Sequence, residues 1–213
     1  MSLTNPSDES EPQRWQPLHT PRLTLREYDL ADEEALFALE SSEENARYQT
    51  WQPWTRAEAS RRLGAAMSDS CVAPRAVVEL AVVSKESGGG LVGRVGCRKS
   101  LVRGDGGDED GGGEKKGVGA AKRVQVHLWF SLLPAVQGKG LATEAVAAFV
   151  AEMARVERNG KGLELQLEIE CDPRNKGSRK LAERLGFVQC SLQEEAFECK
   201  GEMVGSVVYR KVV

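Results

Sequence analysis

Two stretches of the chain hold residues whose types and spacing can do chemistry. In Gln137-Gly138-Lys139-Gly140-Leu141-Ala142, two glycines flank a lysine just before a run with helical spacing. The first turn of a helix leaves backbone N–H groups unpaired and carries the positive end of the helix dipole. Glycine lets an anion approach those amides closely. The chemistry on offer is a phosphate or pyrophosphate at the start of a 139–158 helix; on spacing alone, a plain turn into a helix fits as well. The stretch is neither a Walker loop nor a dinucleotide fingerprint, which needs a third glycine and a downstream ribose acid. The second stretch lies just upstream. Alternation sets Val124, Val126, Leu128, Phe130 and Leu132 on one face of a strand and Gln125, His127, Trp129 and Ser131 on the other. An imidazole there can move protons near neutral pH, or can simply be a hydrogen-bonded strand side chain.

The elements that must position these residues follow from periodicity and turn signals. Leu23 and Leu25 alternate with Thr24 and Arg26, a short strand. Asp29 precedes a helix carrying Leu30, Ala35, Leu36 and Leu39, and Thr55 with Glu58 forms a capping box for a second helix ending about Met67. Residues 75–84 and 91–102 are rich in β-formers and flank Gly88-Gly89-Gly90, which predicts a hairpin. Residues 103–121 are glycine and charge with little to bury, a flexible inserted loop. A strand over 123–133 ends at Pro134, and Ala142, Ala145, Val146, Phe149, Val150 and Met153 mark a helix from Leu141 to Arg158. Strict alternation over 163–171, an amphipathic helix from Asn175 to Leu185 stopped by Gly186, and two closing strands complete the chain. This order implies an α/β (α+β) fold: a mixed, mostly antiparallel twisted sheet of about seven strands flanked by about four helices.

Composition narrows the class. The chain has 213 residues, 40% hydrophobic and 29% charged, enough for one globular domain over 21–213 behind a disordered or loosely packed leader at 1–20. A net charge of -3 argues against a nucleic-acid partner, which needs a basic face. No apolar run approaches the ~20 residues of a membrane helix, so no membrane partner is expected. The five cysteines (Cys71, Cys97, Cys171, Cys190, Cys199) form no C-x-x-C pair and none has a basic motif beside it in sequence. They suit unpaired thiols in a reducing compartment, cytoplasmic or nuclear, with no metal site.

The cradle Gln137-Gly138-Lys139-Gly140-Leu141-Ala142 resembles the Q/R-x-x-G-x-G/A signature of the GNAT N-acetyltransferases, and Thr143-Glu144-Ala145 resembles the branch holding the Rim-type ribosomal-protein N-terminal acetyltransferases. Three further matches occur in the right order: Thr20 to Arg26 with that branch's first strand, Asn175-x-x-Ser178 followed by Leu181 to Phe187 with its asparagine-to-LGF helix, and GSVVYRKVV with its last strand. The resemblance implies acetyl-CoA as cosubstrate, wedged between strands 123–133 and 163–171. Its pyrophosphate would rest on amides of Gly138, Lys139, Gly140, Leu141, Ala142 and Thr143. Its pantetheine arm would pair near Leu132 and Leu133, where an N–H could polarise the thioester carbonyl, and would touch Asn175 and Ser178. The acceptor is then an amine, a small molecule or a protein N-terminus, and the enzyme a monomer or homodimer. A glutamate often stands in this branch where His127 stands here. His127 is the candidate base, Ser178 the candidate donor to the leaving thiolate, and transfer is direct. Loss of the glutamate also fits a non-catalytic acyl-CoA-binding sensor or scaffold. Trp51 and Trp54 would form an acceptor wall or an apolar anchor; Glu164, Glu168, Glu170 and Glu194-Glu195 would attract a cationic acceptor or merely face solvent.

Overall fold

The alternating and helical patterns become eight strands and five α-helices in a computed structural model, which describes residues 14–86, 88–103, 122–161 and 164–213. The first 13 residues of the expected leader, and all of the 103–121 insertion except Arg103, lie outside the described residues. The chain divides into two compact units, residues 1–96 with 130–146 and residues 97–129 with 147–213.

The first unit holds β1 (Leu18–His19), β2 (Leu23–Arg26), α1 (Glu33–Glu40), α2 (Glu43–Ala46), α3 (Arg56–Asp69), β3 (Val77–Ser84), the start of β4 (Leu91–Arg103) and the end of β5 (Lys122–Leu132). Its strands run in the order β1-β2-β3-β4-β5. β2 is antiparallel to β3, with Leu23 opposite Ser84. The β3–β4 turn uses Gly88 and Gly89 at φ 66° and 88°, a region that favours glycine. Apolar residues on α1, α3 and β3, with Trp54 from the segment before α3, meet in a core of Leu36, Leu39, Trp54, Leu63 and Ala81, against which Leu133 packs. Trp54 is buried in that core, the anchor role among its two expected ones. Arg94 crosses it, 2.7 Å from Glu40 and 3.0 Å from Glu79. Burial opposes its charge, but Glu79 and Glu40 outweigh burial and keep it ionised. Gly93 sets how close β4 and β5 come: a Cβ there would stand 2.3 Å from Leu132 Cδ2 and 2.4 Å from Ser131 O.

The second unit holds most of β5, the bulk of α4 (Leu141–Lys161), β6 (Glu164–Cys171), α5 (Lys176–Arg184), β7 (Val188–Cys199) and β8 (Glu202–Val212). The order here is β5-β6-β8-β7. β5 and β6 are parallel, from Arg123 opposite Glu164 to His127 opposite Glu168, whereas β6–β8 and β7–β8 are antiparallel. Among the described residues the β5–β6 register ends at that last pair, although both strands continue. Phe149 and Met153 of α4 pack in a core with Leu165, Leu167, Ile169 and Tyr209 fully buried.

Two elements exceed expectation. β1 lies in the segment expected as leader; Trp15 is buried there and its backbone N–H donates to Glu27, which also binds Arg75. Isolated anchors without periodicity give a pattern reading nothing to detect. The four-residue α2, capped by the Ser42 hydroxyl, is too short to show a helical period.

Candidate active site

In the first unit β5 stops at Leu132, a 3-10 turn over Pro134–Val136 follows, and Gln137 to Gly140 lead into α4. Pro134 cannot donate to a ladder, so the strand ends there. Gly138 and Gly140 have φ 73° and 79°, so both are left-handed, which glycine tolerates best. A Cβ at Gly138 would meet nothing within 4 Å. The space over Gly138 is open, and the helical ladder of α4 begins, as in any helix, with the fourth residue: Glu144 N–H donates to Gly140 O at 3.1 Å. The amides of Leu141 and Ala142 lie in the first turn, ahead of that ladder, and the loop fits a pyrophosphate.

Gln137 serves the strand end rather than the open side of the turn. Its Nε2 donates to Leu132 O (2.9 Å) and to Asn45 Oδ1 (3.0 Å), while Asn45 Nδ2 donates to Leu39 O and Leu132 O. The two amides lock the Leu132 carbonyl between α2 and the loop. The N–H of Leu133 donates to Val92 O at 2.8 Å, so it is spent on β4. This removes Leu133 as the expected donor to a thioester carbonyl. Lys139 Nζ donates to Ala135 O, and the lysine is exposed.

Sequence reasoning missed the group that fixes this loop. Glu144 accepts from the Thr20 hydroxyl (2.6 Å), the Arg22 backbone N–H (2.9 Å) and Arg22 Nε (2.7 Å), while Arg22 Nη1 donates to Lys139 O (2.8 Å). Burial works against ionisation of Glu144, but the bonds from Thr20 and Arg22 outweigh it and hold the carboxyl below its ordinary 4.5. A carboxyl lowered on folding stabilises the native state above its ordinary value, and that contribution is lost as pH falls through the lowered one. Arg22→Ala is thus expected to lower Tm most above about pH 5, the gap to the unmutated protein closing in more acid buffer. The same variant is expected to bind acetyl-CoA about tenfold more weakly, the order of one charge-assisted hydrogen bond. Calorimetric titration and thermal melts across pH check both.

In the second unit one row crosses three strands: His127 on β5, Glu168 on β6 and Arg210 on β8 stand opposite one another in register. His127 Nδ1 lies 3.0 Å from Glu168 Oε1. Arg210 Nε donates to Glu168 Oε2 at 2.8 Å, and Gln125 Nε2 donates to the same oxygen at 3.3 Å. The Glu168 side chain is 5% exposed and the imidazole 45%. Glu168 is thereby part of a buried pairing, while Glu164 pairs with Arg123. Asn175 and Ser178 come together as a cap of α5, Asn175 Oδ1 accepting from Ser178 N–H at 3.0 Å. Tyr209 donates to Glu183 and accepts from Arg179.

Burial pushes the Cys171 thiol up to about 11. Cys71 departs from the expectation that no cysteine has a basic neighbour. Arg14 Nη2 lies 3.7 Å from its sulfur and, with Ser70, lowers the thiol, a contact between residues 57 apart in sequence. Among the described residues no group of three or more His, Cys, Asp or Glu is placed to hold a metal, and no helix is long and apolar enough to cross a membrane.

A family model described as the acetyltransferase (GNAT) domain matches residues 22–188. Among solved structures, an acetyltransferase of the GNAT family from Bacillus anthracis is similar at TM-score 0.69 and 16% identity, over 92% of this chain and 98% of that one. The RimL ribosomal L7/L12 alpha-N-protein acetyltransferase in complex with coenzyme A is similar at 0.69 and 14%, over 93% and 98%. The microcin C7 self-immunity acetyltransferase MccE, in complex with acetyl-CoA and AMP, is similar at 0.66 and 17%, over 91% and 94%. At these identities the likeness is one of fold. No curated protein sequence matches significantly.

Proposed function

The chain belongs to the GNAT acetyltransferase family and is an acyltransferase; on that premise we propose that it moves an acetyl group from acetyl-CoA directly to a primary amine, on a small molecule or a protein N-terminus. The observation that carries this reading is the loop itself. Gly138 and Gly140 turn left-handed into α4, the helical ladder starts with Glu144, and the space over Gly138 is open.

Acetyl-CoA supplies an acetyl group on a sulfur that leaves as a thiolate. The amides of residues 138 to 143 would take its pyrophosphate, with Gln137, Leu132 and Leu133 shaping the strand end and Asn175 and Ser178 assigned to the pantetheine arm. His127 is assigned to take the proton from the amine as the amine nitrogen bonds to the thioester carbon. The C–S bond then breaks, and the thiolate takes a proton through Ser178. Positioning both substrates together supplies much of the acceleration. A covalent acetyl-enzyme is not part of this reading: no cysteine belongs to the loop or to the row of His127, and burial holds the Cys171 thiol protonated.

The test is to incubate the protein with acetyl-CoA and a panel of polyamines, amino acids and peptides with free N-termini, following free-thiol release. Thiol release that depends on one class of amine is the expected result. Cofactor binding with no acceptor-dependent thiol would refute turnover and leave an acyl-CoA sensor or scaffold.

A further inference from the structure

The row His127–Glu168–Arg210 has a consequence for which imidazole nitrogen does the work. We infer that Glu168, anchored by Arg210, is a positioning residue that holds His127 with its proton on Nδ1, so that Nε2 is the atom that takes the proton from the amine. This rests on reading His127 as the base, and it adds a group that the loop and its signature do not contain.

The argument is one of register and saturation. Because His127, Glu168 and Arg210 are directly opposite on β5, β6 and β8, their side chains share a face at neighbouring positions. A base is competent when a third group fixes its orientation and tautomer. Glu168 is buried and its Oε2 is already taken by Arg210 and Gln125, so Oε1 is the oxygen left to meet Nδ1 at 3.0 Å. An ionised carboxylate is an acceptor only, which obliges Nδ1 to be the donor and leaves the Nε2 lone pair open. Arg210 Nε and Gln125 Nε2 can only donate, so Oε2 accepts from both and Oε1 is the acceptor that faces the imidazole. On the same face Arg123 and Glu164 pair with each other at 2.6 Å, and Glu170 accepts from the Ser206 hydroxyl. On the far side of Arg210 the row ends in Val188 of β7, which carries no charge.

The isosteric variant gives a sharp reversal. In Glu168→Gln, the donors Arg210 and Gln125 keep the side-chain oxygen on their side. The amide NH2 then faces Nδ1, and an NH2 can only donate. Neutral His127 must then carry its proton on Nε2 and lose its open lone pair.

The experiment uses full-length protein labelled with 15N-histidine, in which His19 is the other histidine and His127→Ala assigns the signals by difference. Long-range 1H–15N spectra of the unmutated protein are expected to show Nδ1 protonated and Nε2 bare, and Glu168→Gln to show the reverse. That variant is also expected to lose about a hundredfold in kcat with acetyl-CoA affinity unchanged, the low end of a general-base contribution. A proton on Nε2 in the unmutated protein, or an unchanged tautomer and rate in Glu168→Gln, would overturn the inference. The first of these needs no variant to fold. Should the tautomer reverse while His127→Ala leaves turnover intact, the positioning stands and the base assignment falls.

Discussion

Gly140→Glu is expected to raise the dissociation constant for acetyl-CoA at least about a hundredfold, close to 2.7 kcal/mol, without unfolding the protein. Three effects act in the same direction. Position 140 has φ 79°, where any side chain with a Cβ pays about 1–2 kcal/mol. The new Cβ would lie 3.6 Å from Arg22 Nη2, so its carboxylate would compete with Glu144 for the guanidinium that fixes the loop. Above all, it places a negative charge beside the amides assigned to the pyrophosphate, and two charges about 4 Å apart repel by about 4 kcal/mol even at an effective dielectric of 20. Gly140→Ala isolates the first effect and is expected to weaken binding far less. Titration calorimetry with acetyl-CoA measures each affinity, and circular dichroism checks the fold. An unchanged affinity in Gly140→Glu would show that the pyrophosphate does not sit on this loop.

The features legible in sequence were those fixed by local spacing. Alternation over 163–171 predicted β6, and Thr55 with Glu58 predicted the capping box that opens α3, where both reciprocal bonds are present. The turn into α4 was legible because only glycine suits two left-handed positions separated by one residue. What escaped was carried by contacts between distant positions. Nothing near Asn45 says that its amide will hold the Leu132 carbonyl 87 residues on, and nothing in Thr20 or Arg22 points to Glu144. Glu168 read as one of several solvated acids because the alternation of β6 assigns it a face without saying what stands opposite. Strand register supplies that, and register is a property of the paired chain. The same limit explains Leu133: its N–H looked available until the ladder to Val92 was seen.

His127→Ala is expected to lower kcat about a thousandfold, within the range of a general base, and to leave acetyl-CoA affinity as it was. The two halves of this expectation have separate grounds. Among the described residues the bonds that hold 137 to 143 are made by Gln137, Asn45, Arg22 and Glu144, a set apart from the row of His127. Truncating the imidazole also leaves no buried charge stranded, since Glu168 keeps both Arg210 and Gln125. A fall in turnover therefore cannot be blamed on a collapsed site, and a melt close to that of the unmutated protein is the control. The pH dependence separates proton transfer from packing. A missing base matters less as hydroxide and unprotonated amine accumulate, so the deficit should narrow from about pH 6 to pH 9. Added imidazole should restore part of the rate, because a small base can occupy the space left by the side chain. A deficit constant across that range and indifferent to imidazole would mean that His127 shapes the acceptor's seat. An undiminished rate throughout would return the proton to a water chain, leaving the row across β5, β6 and β8 purely structural.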